Sequence, residues 1–264
     1  MDYHSRQYGS GGRQVLAIHC TLAHSGAWRG MADAMGTMMD DGLTINAYDM
    51  PSHGKSPDWN GEGDLHDLVT AWGHDMLSEP MDVIGHSFGA TVALRLAAEA
   101  PERVRSLTLI EPVAFAFVAA DDPGKVEEYR LRNLDFDAAM QAGDRMEAAR
   151  AFNRGWGNGT PWDEIPEQTR QYMADRIHFV AGSAPAVQRD SIGLLKPGVL
   201  DVIKCPVLLM EGDASDGTIA AANAAIARRI PQAQRVVLEG AGHMAPITHP
   251  ERVASHIQQF LDAV

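Results

Sequence analysis

Short, mainly apolar runs alternate with longer amphipathic ones along most of this chain, and no other feature limits its fold as strongly. The runs QVLAIHC (14–20), LTINAYDM (43–50), MDVIGHS (81–87), VRSLTLIE (104–111), CPVLLMEG (205–212) and QRVVLEG (234–240) each hold an apolar, strand-like stretch. Strands covered by helices on both faces need that pattern, whereas a half-exposed strand alternates. Between the runs, the spacing of apolar residues predicts helices over 25–40, 62–78, 88–100, 217–229 and 250–263. Such alternation folds into a doubly wound, mostly parallel α/β sheet. Residues 113–200 break it, with helical periodicity, scattered aromatics and the Gly-, Pro- and Trp-rich stretch GWGNGTPWDEIP at 155–166. We read 113–200 as a helical cap or lid inserted between the two parts of the core, 1–112 and 201–264. Its expected seat is over the carboxyl ends of the strands, where open α/β sheets bind ligands.

Composition excludes several functions. A formal net charge of −13 in 264 residues leaves no basic cluster for a nucleic-acid backbone. Cys20 and Cys205 lie in apolar runs, which suits reduced core thiols and a cytoplasmic setting better than a disulfide scaffold. The N-terminal stretch lacks the basic and apolar regions of an export signal, and no apolar run reaches about 18 residues. Neither export nor a membrane span is expected, and the expected partner is a small molecule.

Within DVIGHSFGATVAL (82–94), Ser87 stands between Gly85 and Gly89, where a strand-like run gives way to a helix-like one. The G-x-S-x-G spacing in that context makes a tight strand-to-helix turn that lifts the hydroxyl out at the sheet edge. The amides opening the next helix then face any negative charge beside it. A serine needs a base to become a nucleophile. His243 follows the last strand-like run in LEGAGHMAPITHPERVASHI and is the candidate. His66 and His74, at the 62–78 helix, lack the partner set of a metal site, so no metal is expected. His53 and His86 are expected to hydrogen-bond locally, and His249 and His256 to lie on the surface or in loops.

The motifs AIHCTLAHSGAW (17–28), YDMPSHGKS (48–56), GHSFG (85–89), PERV (101–104) and GAGH (240–243) follow one another in an order that resembles the α/β-hydrolase family. The resemblance covers almost the whole chain. It implies Ser87 as nucleophile, His243 as base and an oxyanion hole formed by the backbone N–H groups of Phe88 and Thr21. His19-Cys20 replaces the family's usual His-Gly, so Leu22 is an alternative donor if the loop is offset by one residue. Cys20 itself has no strand-turn-helix to present it as a nucleophile.

The acid is less plainly marked. The family's G-x-x-D pattern after the penultimate strand would place it three residues beyond Gly212, where this chain has Ser215. A serine cannot balance the charge of an imidazolium. Asp213 and Asp216 flank that position, while Glu111 ends the strand next to the one bearing Ser87. Some haloalkane dehalogenases of the same fold resemble the chain in carrying a catalytic Glu there, so Glu111 is the leading candidate, with Asp216 and Asp213 as alternatives. Those enzymes attack with an Asp, however, and Ser87 implies acyl chemistry. The reading is a serine hydrolase that cleaves a small, moderately apolar carboxylic ester, lactone or thioester without a cofactor. A C–C bond hydrolase, cofactor-free perhydrolase or lyase on the same residues is one alternative, and a non-catalytic ligand receptor is another. Phe115, Phe117, Tyr129, Phe152, Trp156, Trp162, Tyr172 and Phe179 of the insertion are each expected in the core more than along a pocket wall.

Overall fold

The computed structural model describes residues 2–38 and 42–264. Seven strands form one sheet: β1 (Ser5–Tyr8), β2 (Arg13–Ile18), β3 (Leu43–Tyr48), β4 (Met81–His86), β5 (Val104–Ile110), β6 (Val207–Gly212) and β7 (Ala233–Leu238), in the order β1-β3-β2-β4-β5-β6-β7. The six apolar runs form the parallel strands β2 to β7. The sequence reading missed β1, which pairs antiparallel with β3 at the edge. Its four residues, SRQY, alternate between exposed and half-buried and carry no apolar run to mark them.

Successive side chains of a strand point to opposite faces, and the core divides accordingly. Leu16 and Ile18 of β2, with Val83 of β4, pack on one face against helices α2 (Leu65–Met76), α3 (Phe88–Glu99) and, farther along, α10 (Gly217–Arg229). Val15, Ala17 and Ile84 pack on the other against α1 (Arg29–Met38) and α12 (Pro250–Asp262). The α12 stripe of Val253, Ala254, Ile257, Phe260 and Leu261 is buried, the spacing of a helix with one apolar face. The helix expected over 25–40 begins as a 3-10 turn, Ser25–Trp28, and continues as α1; residues 39 and 40 lie outside the described residues.

Between β5 and β6 the chain forms α4 (Phe115–Asp121), α5 (Pro123–Arg132), α6 (Leu134–Ala142), α7 (Arg145–Trp156), α8 (Glu167–Arg176) and α9 (His178–Arg189), with no strand among the described residues there. Tyr172 of α8 ties this section to the core: its hydroxyl donates to the Ala23 carbonyl and accepts from the Gly54 amide, both at 3.0 Å. The short helix α11 (Ala245–Thr248) precedes α12.

Candidate active site

The turn after β4 takes its shape from two glycines. A side chain at Gly85 would run into the Gly89 carbonyl, and one at Gly89 into the Ile18 carbonyl of β2. Only hydrogen at both positions lets α3 start this close to the sheet. Ser87, between them, adopts φ 58°, ψ −116°, a sparsely populated conformation for a residue with a side chain. Its amide is anchored by the Ile110 carbonyl at 2.9 Å.

Two neighbouring loops meet that turn. Ser87 Oγ lies 2.9 Å from His243 Nε2, and His243 Nδ1 lies 3.0 Å from Glu111 Oε2. A carboxylate oxygen only accepts, so Nδ1 carries the imidazole proton and Nε2 is free to accept the hydroxyl proton of Ser87. Glu111 is fully buried and has φ 54°, a left-handed kink that ends β5. Its Oε1 accepts the Gly212 N–H at 2.6 Å and the Ser215 hydroxyl at 2.8 Å. With His243 these make three hydrogen bonds to one buried carboxyl group, which together fix its orientation toward the imidazole.

The alternative acids are engaged elsewhere. Asp216 caps α10 through the Thr218 amide at 2.8 Å and pairs with Arg132 Nη2 at 2.8 Å. Asp213 Oδ1 accepts the Gly240 amide at 2.6 Å. Ser215, at the position where the family pattern has its acid, contacts Glu111 instead. Sequence reasoning had set Ser215 aside because it cannot carry charge; nothing along the chain signals that it serves as a donor to the acid.

Thr21, Ser87 and Phe88 line one small cavity. The Leu22 amide, the alternative oxyanion donor, is already satisfied by His53 Nε2 at 3.0 Å. His53 is held in the tautomer that can accept there, because its Nδ1 donates to the Pro51 carbonyl at 2.8 Å. Cys20 is buried, which raises its thiol to about 12, well outside the range of a reactive cysteine. The YDMPSHGKS segment works as a fastener: Asp49 accepts from the Ser25 amide at 2.7 Å and the Lys55 amide at 2.9 Å. Burial opposes the Asp49 charge, but these bonds outweigh it and hold the carboxyl below its usual range.

His86 packs beneath His243, ring centroids 5.3 Å apart, and its Nε2 donates to the His243 carbonyl at 2.8 Å. His66, buried in α2, bonds Thr91 and Thr70, while His74 meets Glu99 at 2.8 Å on the surface. Among the described residues no group of three or more His, Cys, Asp or Glu is arranged to hold a metal ion.

Burial lowers His66 and His86 to about 3, so both are neutral in the folded protein at ordinary pH. The unfolded chain takes up protons below about pH 6.5, so their contribution to stability is intact above that value. It is lost as the pH falls toward the folded values. By pH 4.5 each is expected to cost on the order of 2 kcal/mol, read as a fall in Tm between pH 7 and 4.5. His66→Gln should flatten that fall, and an unchanged slope in the variant would contradict this account.

Trp156, at the end of α7, closes the site from above, its ring edge-on to His243 with centroids 4.7 Å apart. Phe115, Tyr129, Phe152, Trp156 and Tyr172 line cavities around Ser87 and Trp156, and Trp162 lines a hollow farther out. Phe117 and Phe179 are buried in the core. The expectation that these aromatics are core holds for Phe115, Phe117, Trp156 and Phe179, all buried in the main core cluster; Phe115 and Trp156 line a cavity as well, with Tyr129 and Phe152 partly buried beside them.

Residues 15–256 match the family described as the alpha/beta hydrolase family. Among characterised proteins, the chain is similar to a pimeloyl-[acyl-carrier protein] methyl ester esterase of Nitrosomonas europaea, 26% identical over 248 residues that cover 92% of this chain and 94% of that one. It is also similar to a 2-(acetamidomethylene)succinate hydrolase of Mesorhizobium japonicum, 30% identical over 275 residues covering 98% and 91%. Among solved structures, MenH from S. aureus has a TM-score of 0.73 at 16% identity, covering 98% of each chain. A thermophilic esterase from Thermogutta terrifontis has a TM-score of 0.69 at 23% identity, covering 99% and 94%. These two structures speak for the fold alone. With a sheet of the same architecture and a family match that runs from β2 into α12, the chain belongs to the alpha/beta hydrolase family and is an enzyme of that hydrolase type.

Proposed function

We propose that this hydrolase cleaves a small, moderately apolar carboxylic ester, lactone or thioester through an acyl-enzyme on Ser87. The observation that carries the reading is the continuous relay from Ser87 Oγ to His243 and on to Glu111, at 2.9 and 3.0 Å. Ser87 Oγ attacks the acyl carbon while His243 Nε2 takes its proton, and Glu111 stabilises the imidazolium that forms. The backbone amides of Phe88 and Thr21 hold the developing oxyanion. His243 returns the proton to the leaving atom, and water, activated by the same imidazole, then releases the acid and restores Ser87. These side chains and amides supply every proton transfer and charge contact that the cycle requires.

Helices α4 to α9 act as a cap over this site. Support comes from Phe152 and Trp156, which line the cavity beside Ser87 and belong to 113–200. The wall is apolar, which suits an uncharged substrate. Mass spectrometry after treatment with an activated fluorophosphonate tests the reading. One adduct on the peptide containing Ser87 is expected, and it should be absent when the protein is first unfolded. A protein left unlabelled, or labelled elsewhere, overturns it.

A further inference from the structure

Two cavities meet at Trp156, and they differ in size and in the neighbours they share. The smaller, about 40 Å³, is lined by Ser87, Phe88, Val113, Phe115, Ala184 and Val187 among others. The larger, about 310 Å³, is lined by Ile165, Pro166, Met173, Met244 and Ile247 among others. Thr21, Phe152 and Trp156 belong to both walls, so the tryptophan stands as a partition with its ring against His243. Beyond the larger chamber, a groove of about 470 Å³ continues past His24 and Gln168 and shares Leu22, Thr169, Tyr172, Met244 and Ile247 with it.

We propose that this partition sorts the substrate by role: the small slot accepts a short acyl group, and the chamber and groove accept a long, uncharged leaving group. The inference rests on the acyl-enzyme reading above. In that reaction the bond from Ser87 Oγ to the acyl carbon forms first, placing the negative charge on the carbonyl oxygen, and the bond to the leaving oxygen then breaks as the carbonyl reforms. The proton taken from Ser87 passes from His243 Nε2 to that oxygen. The leaving group must therefore lie on the histidine side of the scissile bond. Met244 and Ile247, which follow His243 in the chain, line the large chamber and not the slot. Ser87 and Phe88, the nucleophile and its neighbouring amide, line the slot and not the chamber.

Size and charge define the class further. A water needs about 10–15 Å³ on the same scale, so the slot takes about three such groups, the bulk of an acetyl to butyryl chain. Among the described residues no Lys, Arg, Asp or Glu lines the slot, the chamber or the groove, and burial lowers the pKa of His24, which lines the groove with Tyr172. A polar hollow also adjoins the chamber near Arg150 and Arg154. Those guanidinium groups already face Glu147 at 3.7 Å and Asp135 at 2.8 Å, so the uncharged groove is the better continuation for an apolar chain.

The test is a matrix of uncharged esters followed by pH-stat: ethyl acetate to ethyl octanoate for the acyl side, and ethyl to octyl acetate for the leaving side, each below its solubility limit. We expect kcat/KM to fall at least tenfold between ethyl butyrate and ethyl octanoate, and to rise at least tenfold between ethyl and octyl acetate. Ala184→Leu, which fills the slot, should lower the butyrate-to-acetate ratio at least fivefold. Thr169→Trp, which narrows the chamber and groove, should lower the octyl-to-ethyl acetate ratio by a similar factor. Both variants are to be compared at matched Tm. If long acyl chains are preferred and long alcohols are not, while the phosphonate still labels Ser87, the division of roles fails and the acyl-enzyme reading stands. If no ester turns over and Ser87 does not label, both fail together.

Discussion

Ser87→Ala is expected to lower kcat on p-nitrophenyl acetate by about a hundred-thousand-fold to a million-fold, with KM changed only a few-fold. The hydroxyl is the atom that would form the covalent intermediate, and truncating a triad nucleophile removes most of the catalytic advantage while leaving the rest of the site in place. Folding should survive. Ser87 is held in its φ 58° conformation by the hydrogen bond from its amide to the Ile110 carbonyl and by the glycines on either side, and none of these involves its side chain. The measurement is steady-state hydrolysis with a thermal melt of the same sample. A variant that keeps more than about one-thousandth of the activity, with the wild-type melt intact, would leave Ser87 without the proposed role.

Glu111→Gln is expected to cost about ten-thousand-fold in kcat. Glutamine keeps the shape of the side chain but presents an oxygen and an NH2 in place of two acceptor oxygens. Gly212 N–H and the Ser215 hydroxyl both donate to Oε1, so the amide oxygen is drawn there and the NH2 is left facing His243 Nδ1. The imidazole must then shed its proton from Nδ1, and Nε2 carries it instead, the tautomer that cannot accept from Ser87. Loss of the negative charge also removes the partner of the imidazolium. Asp213→Asn and Asp216→Asn are the controls. Neither residue bonds His243, and each should change kcat less than about threefold, with Asp216→Asn lowering Tm through the α10 cap and its Arg132 pair. A collapse confined to an aspartate variant would reassign the acid. The whole series read against pH would show whether an effect travels through the imidazole, because a structural defect lowers activity evenly across the profile.

The parts of this protein that were legible along the chain are those in which a local pattern has one physical solution. Strands β2 to β6 announce themselves as largely apolar runs, because a strand covered on both faces has little exposed surface to carry polar residues; β7, at the edge, keeps an apolar run although half of its residues are exposed. The turn at Ser87 is legible because close approach of α3 to β2 tolerates nothing larger than hydrogen at Gly85 and Gly89. β1 is invisible for the converse reason: a four-residue edge strand, half exposed, needs only backbone pairing with β3. The walls of the cavities are poorly legible too. An aromatic on an amphipathic helix buries the same face whether its neighbour is core or an open chamber, so Phe117 and Trp156 look alike in sequence and part company only in three dimensions.

The carboxylate beside His243 marks the boundary most sharply. Glu111, Asp213 and Asp216 all follow strand ends, and spacing alone ranks them without deciding. The deciding fact is that β5 lies between β4 and β6, and that Glu111 leaves β5 through a left-handed kink with its side chain held by Gly212 and Ser215. By itself the sequence determined the fold class, the turn that raises Ser87 and the loop that brings His243, because each is encoded by residues close together in the chain. Only the tertiary structure decided which carboxylate meets His243, that the Leu22 amide is taken up by His53 and how the space around Trp156 is divided. Those outcomes depend on contacts between segments distant in the chain, such as Glu111 with Ser215, Ser87 with His243 and Leu22 with His53, and on strand order, which no local pattern encodes.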